Sequence, residues 1–396
     1  MEKDKENKIL NVPALRFPEF TGEWKEERLS KIAELSKGVG ISKEQLSEDG
    51  EPCILYGELY TKYKSEIIHK VISKTNIESS NLKRSKRNDV IIPCSGETAI
   101  DIAVARCVPF DNILLGGDLN IIRLHKDDGA FMAYQLNGKR KIDIAKLAQG
   151  VSVVHLYGEN IKAIKTYNPC LQEQQKIVKL LSMLDERLEV QNKIIEKLET
   201  LIKGIVELAF NHAATSNTLG CYITQISQRN KTGKDLPVLS VSNKHGFVEQ
   251  SEQFEDRIIA SDDTSNYKIV DINDFAYNPA RINVGSIARL KDKECGIVSP
   301  MYICFRTSKD ILPEYLELFF KTVTFSFEVG KRLEGSVRLC LSYESLCEIV
   351  IPIISIREQQ SLVKMVTTFH SKLDVEKGFL SSYQSQKQCL LSQMFI

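Results

Sequence analysis

The stretch Leu171-Gln172-Glu173-Gln174-Gln175 recurs as Ile356-Arg357-Glu358-Gln359-Gln360, an offset of 185 positions. The match continues through Val178-Lys179 and Val363-Lys364 and ends near Phe210 and Phe395. The same offset relates Asn88-Asp89 to Asn273-Asp274, Gly150 to Gly335 and Pro52 to Pro237. Several anchors at one spacing indicate a duplicated unit of about half the chain. A duplicated chain presents two similar surfaces, suited to two copies of something or to two halves of one thing.

Each copy ends in a long helix. In the first, Ile177, Leu181, Leu184, Leu188, Gln191, Ile195, Leu198, Ile202, Ile205 and Ala209 alternate in steps of four and three, a heptad seam with one polar layer. Gly204 is the only interruption, and Pro169 lies just before the start. About 38 residues at ~1.5 Å each give a rod on the order of 57 Å. The second copy begins after Pro352, with a seam of Leu362, Val366, Phe369, Leu373, Glu376, Leu380, Tyr383, Lys387, Leu390 and Met394. Glu376 and Lys387 weaken this seam, so it needs a stronger partner. The simplest partner is the first helix, packed antiparallel; the competing reading is two amphipathic helices, each lying on its own domain.

Two stretches of about 150 residues remain. They carry β-like runs at Asp89 to Pro93, Leu119 to Leu124, Phe275 to Asn278 and Met301 to Phe305, and a short helical segment from Pro313 to Phe320. Each reads as a mixed α/β (α+β) domain. The expected layout is a domain over residues 1–168, a helix over 169–212, a second domain over 213–352 and a second helix over 353–396. The whole is then a pseudo-two-fold repeat with an antiparallel coiled coil.

Composition bounds the function. At 396 residues, with 42% hydrophobic and 27% charged side chains, the chain suits two or three soluble domains. No apolar run approaches the ~20 residues of a membrane span. Met1 to Lys8 is charged and does not resemble a secretory signal, and the ten cysteines form no Cys-x-x-Cys pair. Both point to reduced thiols in the cytoplasm and no zinc site; Cys304 and Cys347 read as core fillers. With 53 basic and 52 acidic side chains the net charge is +1, so any DNA contact must come from local basic patches or a partner.

Catalytic motifs are missing. There is no phosphate loop of the Gly-x-x-x-x-Gly-Lys-Ser/Thr type, no dinucleotide fingerprint around Gly38-Val39-Gly40, and no His-x-x-x-His pair among the six histidines. Asn278-Pro279-Ala280-Arg281 lacks the second proline and the aromatic of an amino-methyltransferase motif and reads as a turn after a strand. No catalytic or metal residue is expected. Binding features remain. Lys83-Arg84-Ser85-Lys86-Arg87 and Lys139-Arg140-Lys141 are basic clusters in the first domain. Arg229, Lys231, Asn243-Lys244-His245, Lys331-Arg332 and Arg338 are their counterparts in the second. Cations neutralise phosphates, while Asn, Gln and Arg read base edges. A solvated basic turn is the competing reading for any one cluster. Tyr56, Tyr60 and Tyr63 interleave with Glu58, Lys62 and Lys64, as on a groove-facing strand or loop, or on an ordinary edge strand. The DNA-contact candidates are Lys62, Lys83, Arg84, Lys86, Arg87, Lys139, Arg140, Arg229, Lys231, Asn243, Lys244, Arg281, Arg332 and Arg338.

Over essentially its whole length the chain resembles the specificity (S) subunits of type I restriction-modification systems. The residues that carry the likeness are Val12-Pro13-Ala14-Leu15-Arg16-Phe17-Pro18-Glu19-Phe20, Gly22-Glu23-Trp24, Pro169 with Glu173-Gln174-Gln175, Pro352 with Glu358-Gln359-Gln360, and the Gly150 and Gly335 segments that close each target recognition domain. The resemblance implies that each domain reads one half of a split double-stranded DNA target. It implies that the paired helices set the gap and dock two modification subunits. Those subunits carry S-adenosylmethionine and methylate adenine, and restriction subunits use ATP and Mg²⁺. The S subunit itself is non-catalytic and holds no cofactor. The rivals are a coiled-coil protein–protein scaffold that does not touch DNA, and an enzyme with an unrecognised site.

Overall fold

The computed structural model describes residues 11–77, 81–213, 215–250, 264–335 and 338–396. The charged stretch from Met1 to Lys8 lies outside them. The chain divides into two compact units. One takes the chain up to Lys193 together with Gly378–Ile396, and the other is Ile194–Lys377.

In the first unit a four-stranded antiparallel sheet runs in the order Ala33–Lys37, Leu119–Leu124, Asp89–Pro93, Arg106–Val108. Its central strands are buried on both faces: Val90, Ile92 and Ile122 face one core, Ile91 and Ile121 the other. Two-sided burial is why these strands read as continuous apolar runs and not as alternating ones. A second sheet contains Glu51–Ile54, parallel to Leu114–Leu115. A ribbon of Lys25–Arg28 against Lys165–Asn168 closes the domain.

The second unit repeats this plan. Its four-stranded antiparallel sheet runs Ile223–Ile226, Ile303–Thr307, Phe275–Tyr277, Ile287–Arg289. Val238–Ser242 is parallel to Cys295–Val298, and Thr215–Thr218 pairs with Val350–Ile353 as the closing ribbon. Cys304 is fully buried, with its thiol pushed up to about 12 by desolvation, whereas Cys347 is half-buried. The strand expected from Met301 is displaced by two residues, because Tyr302 closes a turn through its amide to the Ser299 carbonyl.

The duplication extends to individual hydrogen bonds. The Lys86 amide donates to Asp89 Oδ2 at 2.8 Å, and the Asp271 amide to Asp274 Oδ2 at 2.8 Å. Both carboxylates are buried and gripped by arginine, Arg123 on Asp89 and Arg306 on Asp274. Asn88 (φ 77°) and Asn273 (φ 71°) precede them in the left-handed region that Asn tolerates. Gln174 Nε2 donates to the Pro169 carbonyl and Gln359 Nε2 to the Ile354 carbonyl, each at 3.0 Å. Gly150 (φ 121°) and Gly335 (φ 126°) turn equivalent loops, where a Cβ would collide with the Val153 and Arg338 carbonyls.

The long helices are Leu171–Asn211 and Ile356–Gln393. Ile177, Leu181, Leu184, Gln191, Ile195, Leu198 and Ile202 are buried as expected, and Leu188 is half-buried. Beyond Ile202 the seam departs from expectation: Ile205 and Ala209 are half-buried, while Val206 and Phe210 are buried. Steps of four replace the alternation, so the stripe drifts around the helix. The cause is Phe210, whose ring sits 4.7 Å from Tyr315 and 5.4 Å from Phe319, burying far more apolar surface than Ala209 offers. In the second helix Leu362, Val366 and Leu373 are buried, and Phe369 and Leu380 half-buried.

Within the first unit the two helical segments run antiparallel. Ile177 and Leu181 share a core with Leu390, Leu391, Met394 and Phe395, and Asp185 meets Lys387 at 2.6 Å. The chain start joins them: Arg16 binds Glu173 through two 2.7 Å bonds, and the Leu15 amide donates to the Gln393 carbonyl. Within the second unit, Glu199 pairs with Lys377 at 2.8 Å.

Candidate nucleic-acid interface

In the second unit the structure gathers several of the predicted contacts on adjoining turns. Asn243 and Lys244 form the exposed tip of the hairpin Val238–Ser242 to Gly246–Glu249. The next turn, Asn278 to Ser286, lies against that tip: Ser286 Oγ donates to the Val241 carbonyl at 3.1 Å. This turn displays Arg281, exposed, on a backbone held by Asn278, whose Oδ1 accepts from the Ala280 amide at 3.1 Å. Asn278-Pro279-Ala280-Arg281 is therefore a turn, as its proline suggests. The Leu341 amide donates to the Pro279 carbonyl at 3.1 Å, which brings the exposed Arg338 segment alongside.

The hairpin tip also lines a cleft of about 550 Å³ with Phe247, Phe320, Arg289, Lys291, Lys293 and Lys321. Much of this positive charge is already balanced. Glu317 takes Arg289 at 3.1 Å, Lys291 at 2.5 Å and Lys321 at 3.4 Å. Burial works to raise the Glu317 pKa, but Lys321, Lys291 and Arg289 outweigh it and hold the carboxyl below its ordinary value. Lys244 has no side-chain partner among the described residues and stands exposed at the rim.

The remaining candidates are scattered. Arg229 donates to Asn266 Oδ1 at 3.1 Å, and Lys231 is exposed beside it. Arg332, in the last turn of the helix Val323–Arg332, pairs with Glu328 at 2.5 Å. In the first unit Lys86, Arg87 and Lys139 are exposed. Lys83 and Arg84 form a two-residue strand against Leu114–Leu115, with Arg84 on Glu51 at 2.7 Å. Arg140 bonds Asp143 at 3.0 Å and the Ile396 carbonyl at 2.5 Å and lies over the Tyr167 ring, so its guanidinium holds the chain end. Lys62 is paired with Glu58 at 2.7 Å. The tyrosines around it lie on no strand: Tyr56 is in a turn. Glu58–Thr61 is a helical turn, and Tyr63 is buried with its hydroxyl accepting from the Ile72 amide. Their spacing of four and three residues is helical.

Sequence reasoning missed the equivalent turns of the first unit. Ser95–Gly96 pairs with Val154–His155, just as the Pro279 turn meets Leu341. This loop exposes Val151 (97%), Val153, His155 and Tyr157, with the last two rings stacked at 6.3 Å. Its only sequence signal is the Gly150 anchor, because the residues carry no charge cluster. Among the described residues no three His, Cys, Asp or Glu side chains stand together as a metal site, and no helix is long and apolar enough to cross a membrane.

Residues 21–200 match the family described as the type I restriction modification DNA specificity domain. Over that stretch the chain is similar to the specificity domain. Its fold over the whole length is that of the specificity subunits. It aligns with TM-score 0.60 and 19% identity to the crystal structure of the type I restriction-modification system S subunit from M. genitalium, covering 97% of this chain and 99% of the other. A second chain comes from a structure described as the basis of complex assembly and conformational transition of the type I R-M system. It aligns with TM-score 0.56 and 14% identity over 94% of this chain and 97% of the other. In sequence, the chain is 26% identical over 212 residues to the type I restriction enzyme MjaVIII specificity subunit of Methanocaldococcus jannaschii. That alignment covers 53% of this chain and 46% of the relative, so the chain spans about half the length of the curated relative it matches.

Proposed function

We propose that this chain recognises a bipartite, asymmetric target on double-stranded DNA and directs adenine methylation and restriction by partner subunits. The observation that carries this reading is the duplication itself. Two units with the same hydrogen-bonded skeleton place the same pair of turns at the same position, but with different side chains. The turns at Ser95–Gly96 and Gly150–Tyr157 in one unit match those at Asn278–Ser286 and Arg338–Leu341 in the other. Equivalent position with different chemistry suits two unequal half-sites. Lys244, Arg281 and Arg338 supply phosphate contacts in the second unit, and Lys86 and Arg87 in the first.

The long helices serve as ruler and dock. A helix of 41 residues is about 62 Å long, enough to set half-sites one DNA turn apart, ~34 Å. Met183, Val190, Leu201 and Leu208 remain exposed on the first helix and fall on one face by its 3.6-residue period. Such a stripe suits docking of two modification subunits. S-adenosylmethionine, ATP and Mg²⁺ belong to those subunits and to restriction subunits, and the chain acts without catalysis of its own in the cytoplasm.

Adenine-methylome sequencing of cells expressing the chain with its neighbouring modification subunit tests this directly. The expected result is a new split motif with two unequal half-sites at a fixed gap. No new motif, with a modification subunit shown to be active beside another specificity subunit, would favour a scaffold that does not read DNA.

A further inference from the structure

The duplication creates an ambiguity of assembly. The ends of the two long helices are repeat copies, and each inserts a phenylalanine into an aromatic socket. Phe395 lies 5.3 Å from Phe131 and 6.4 Å from Trp24, while Phe210 fills the socket of Tyr315 and Phe319. Both plugs are the same residue. A second copy of the chain would therefore offer its Ile195–Phe210 end to the first unit, in the manner of a domain swap.

Two turns before the plug the ends differ in kind. Lys387 is 13% exposed, and its Nζ lies 2.5 Å from Glu66 Oε2 and 2.6 Å from Asp185 Oδ1; the two carboxylates are 8% and 4% exposed. Tyr134 donates its hydroxyl to Asp185 Oδ2 at 2.6 Å, and Ser65 adds a bond at 3.2 Å. Asn137 Nδ2 reaches Glu66 Oε1 at 3.3 Å. Arg106 is buried nearby and feels both carboxylates, so the cluster holds two anions and two cations. The repeat position of Lys387 is Ile202, which is buried. The repeat position of Asp185 is His370. That of Tyr134 is Leu318, by the helix register in which the Asp128 and Leu312 amides donate to Gln174 and Gln359. Leu318 and His370 line one pocket of the second unit together with Glu314 and Glu317, whose carboxylates are already taken by Arg289, Lys291 and Lys321, so His370 stands where the first unit has Asp185.

We propose that the Lys387–Glu66–Asp185 cluster is a pairing key. It admits the end of the chain's own second helix to the first unit and rejects the repeat-related end of another copy's first helix. With Ile202 in the seat, two buried carboxylates would face a single cation, which is strongly unfavourable. The matched apolar plugs supply adhesion and the charged layer supplies register, as a polar seam residue does in coiled coils.

Two full-length copies with different affinity tags, co-expressed and purified through both tags, measure the mixed dimer. Wild type and Lys387→Arg should yield almost none. The triple variant Glu66→Gln, Asp185→Asn, Lys387→Met removes the key and leaves Arg106 held by the Ala105 and Tyr63 carbonyls. It should raise the mixed dimer about tenfold or more, at some cost in melting temperature because Arg106 loses both nearby carboxylates. A folded triple variant that stays monomeric overturns the proposal. Ile202→Lys tests the converse by giving the key to the wrong end, with Ile202→Met as its control. Mixed dimer from Ile202→Lys alone supports the proposal, and equal amounts from both overturn it, whether or not the triple variant folds.

Discussion

Glu317 shows how much of the chemistry of the second unit's cleft depends on partners distant in sequence. Its carboxylate holds Arg289, Lys291 and Lys321, and their charge lowers its pKa against the opposing effect of burial. A carboxyl lowered on folding contributes stability that is complete above its unfolded pKa, about 4.3, and lost as pH falls through the folded value. Glu317→Gln should therefore cost about 1–3 kcal/mol at pH 7. Its melting curve should converge with that of wild type below pH 4. Parallel curves across that range would show that the carboxylate charge is immaterial. Residue type was legible for every basic cluster, but accessibility was not. Arg84, Arg140 and Arg332 look alike in sequence to Lys86, Arg281 and Arg338, yet the first three are held by Glu51, Ile396 and Glu328. Pairing across 256 positions, as between Arg140 and Ile396, has no local signature.

The helices were the most legible elements, because a 3.5-residue apolar period needs no tertiary information. Their seam was legible only as far as Ile202. From there the Phe210 socket decides which face is buried, and the socket residues Tyr315 and Phe319 lie over a hundred positions away. The shifted stripe has a measurable consequence. Val206→Ala should destabilise by about 1–3 kcal/mol, and Ile205→Ala by clearly less, although both lose aliphatic carbons. Ile195→Ala with Leu198→Ala should cost ~2–5 kcal/mol for each buried side chain. Urea titration of these variants reads this order, and equal losses at 205 and 206 would restore the regular heptad. The strands Asp89–Pro93 and Leu119–Leu124 were read to the residue because both faces are buried. The Tyr56–Tyr63 segment misled because alternating aromatics and cations imitate a strand.

For the whole molecule, the salt dependence of DNA binding separates free cations from paired ones. Neutralising Lys244, Arg281 and Arg338 together should flatten the log K against log salt slope by up to ~0.9 for each phosphate no longer neutralised. Lys86 and Arg87 should act similarly in the first unit, and Lys83 and Arg84 less, since Arg84 already has a carboxylate. An unchanged slope in the first set would remove those turns from the interface. The amino-acid sequence by itself determined the duplication, the two long helices and the α+β character of each domain. These rest on periodicity and on repeated anchors such as Asn88-Asp89 and Asn273-Asp274, which act through nearby backbone. Only the tertiary structure decided which unit each helix end completes and which cations remain free. It also decided that Lys387, a weak point in a seam, is a half-buried partner of the buried Glu66 and Asp185. Those outcomes depend on desolvation and charge pairing between segments that meet only after folding.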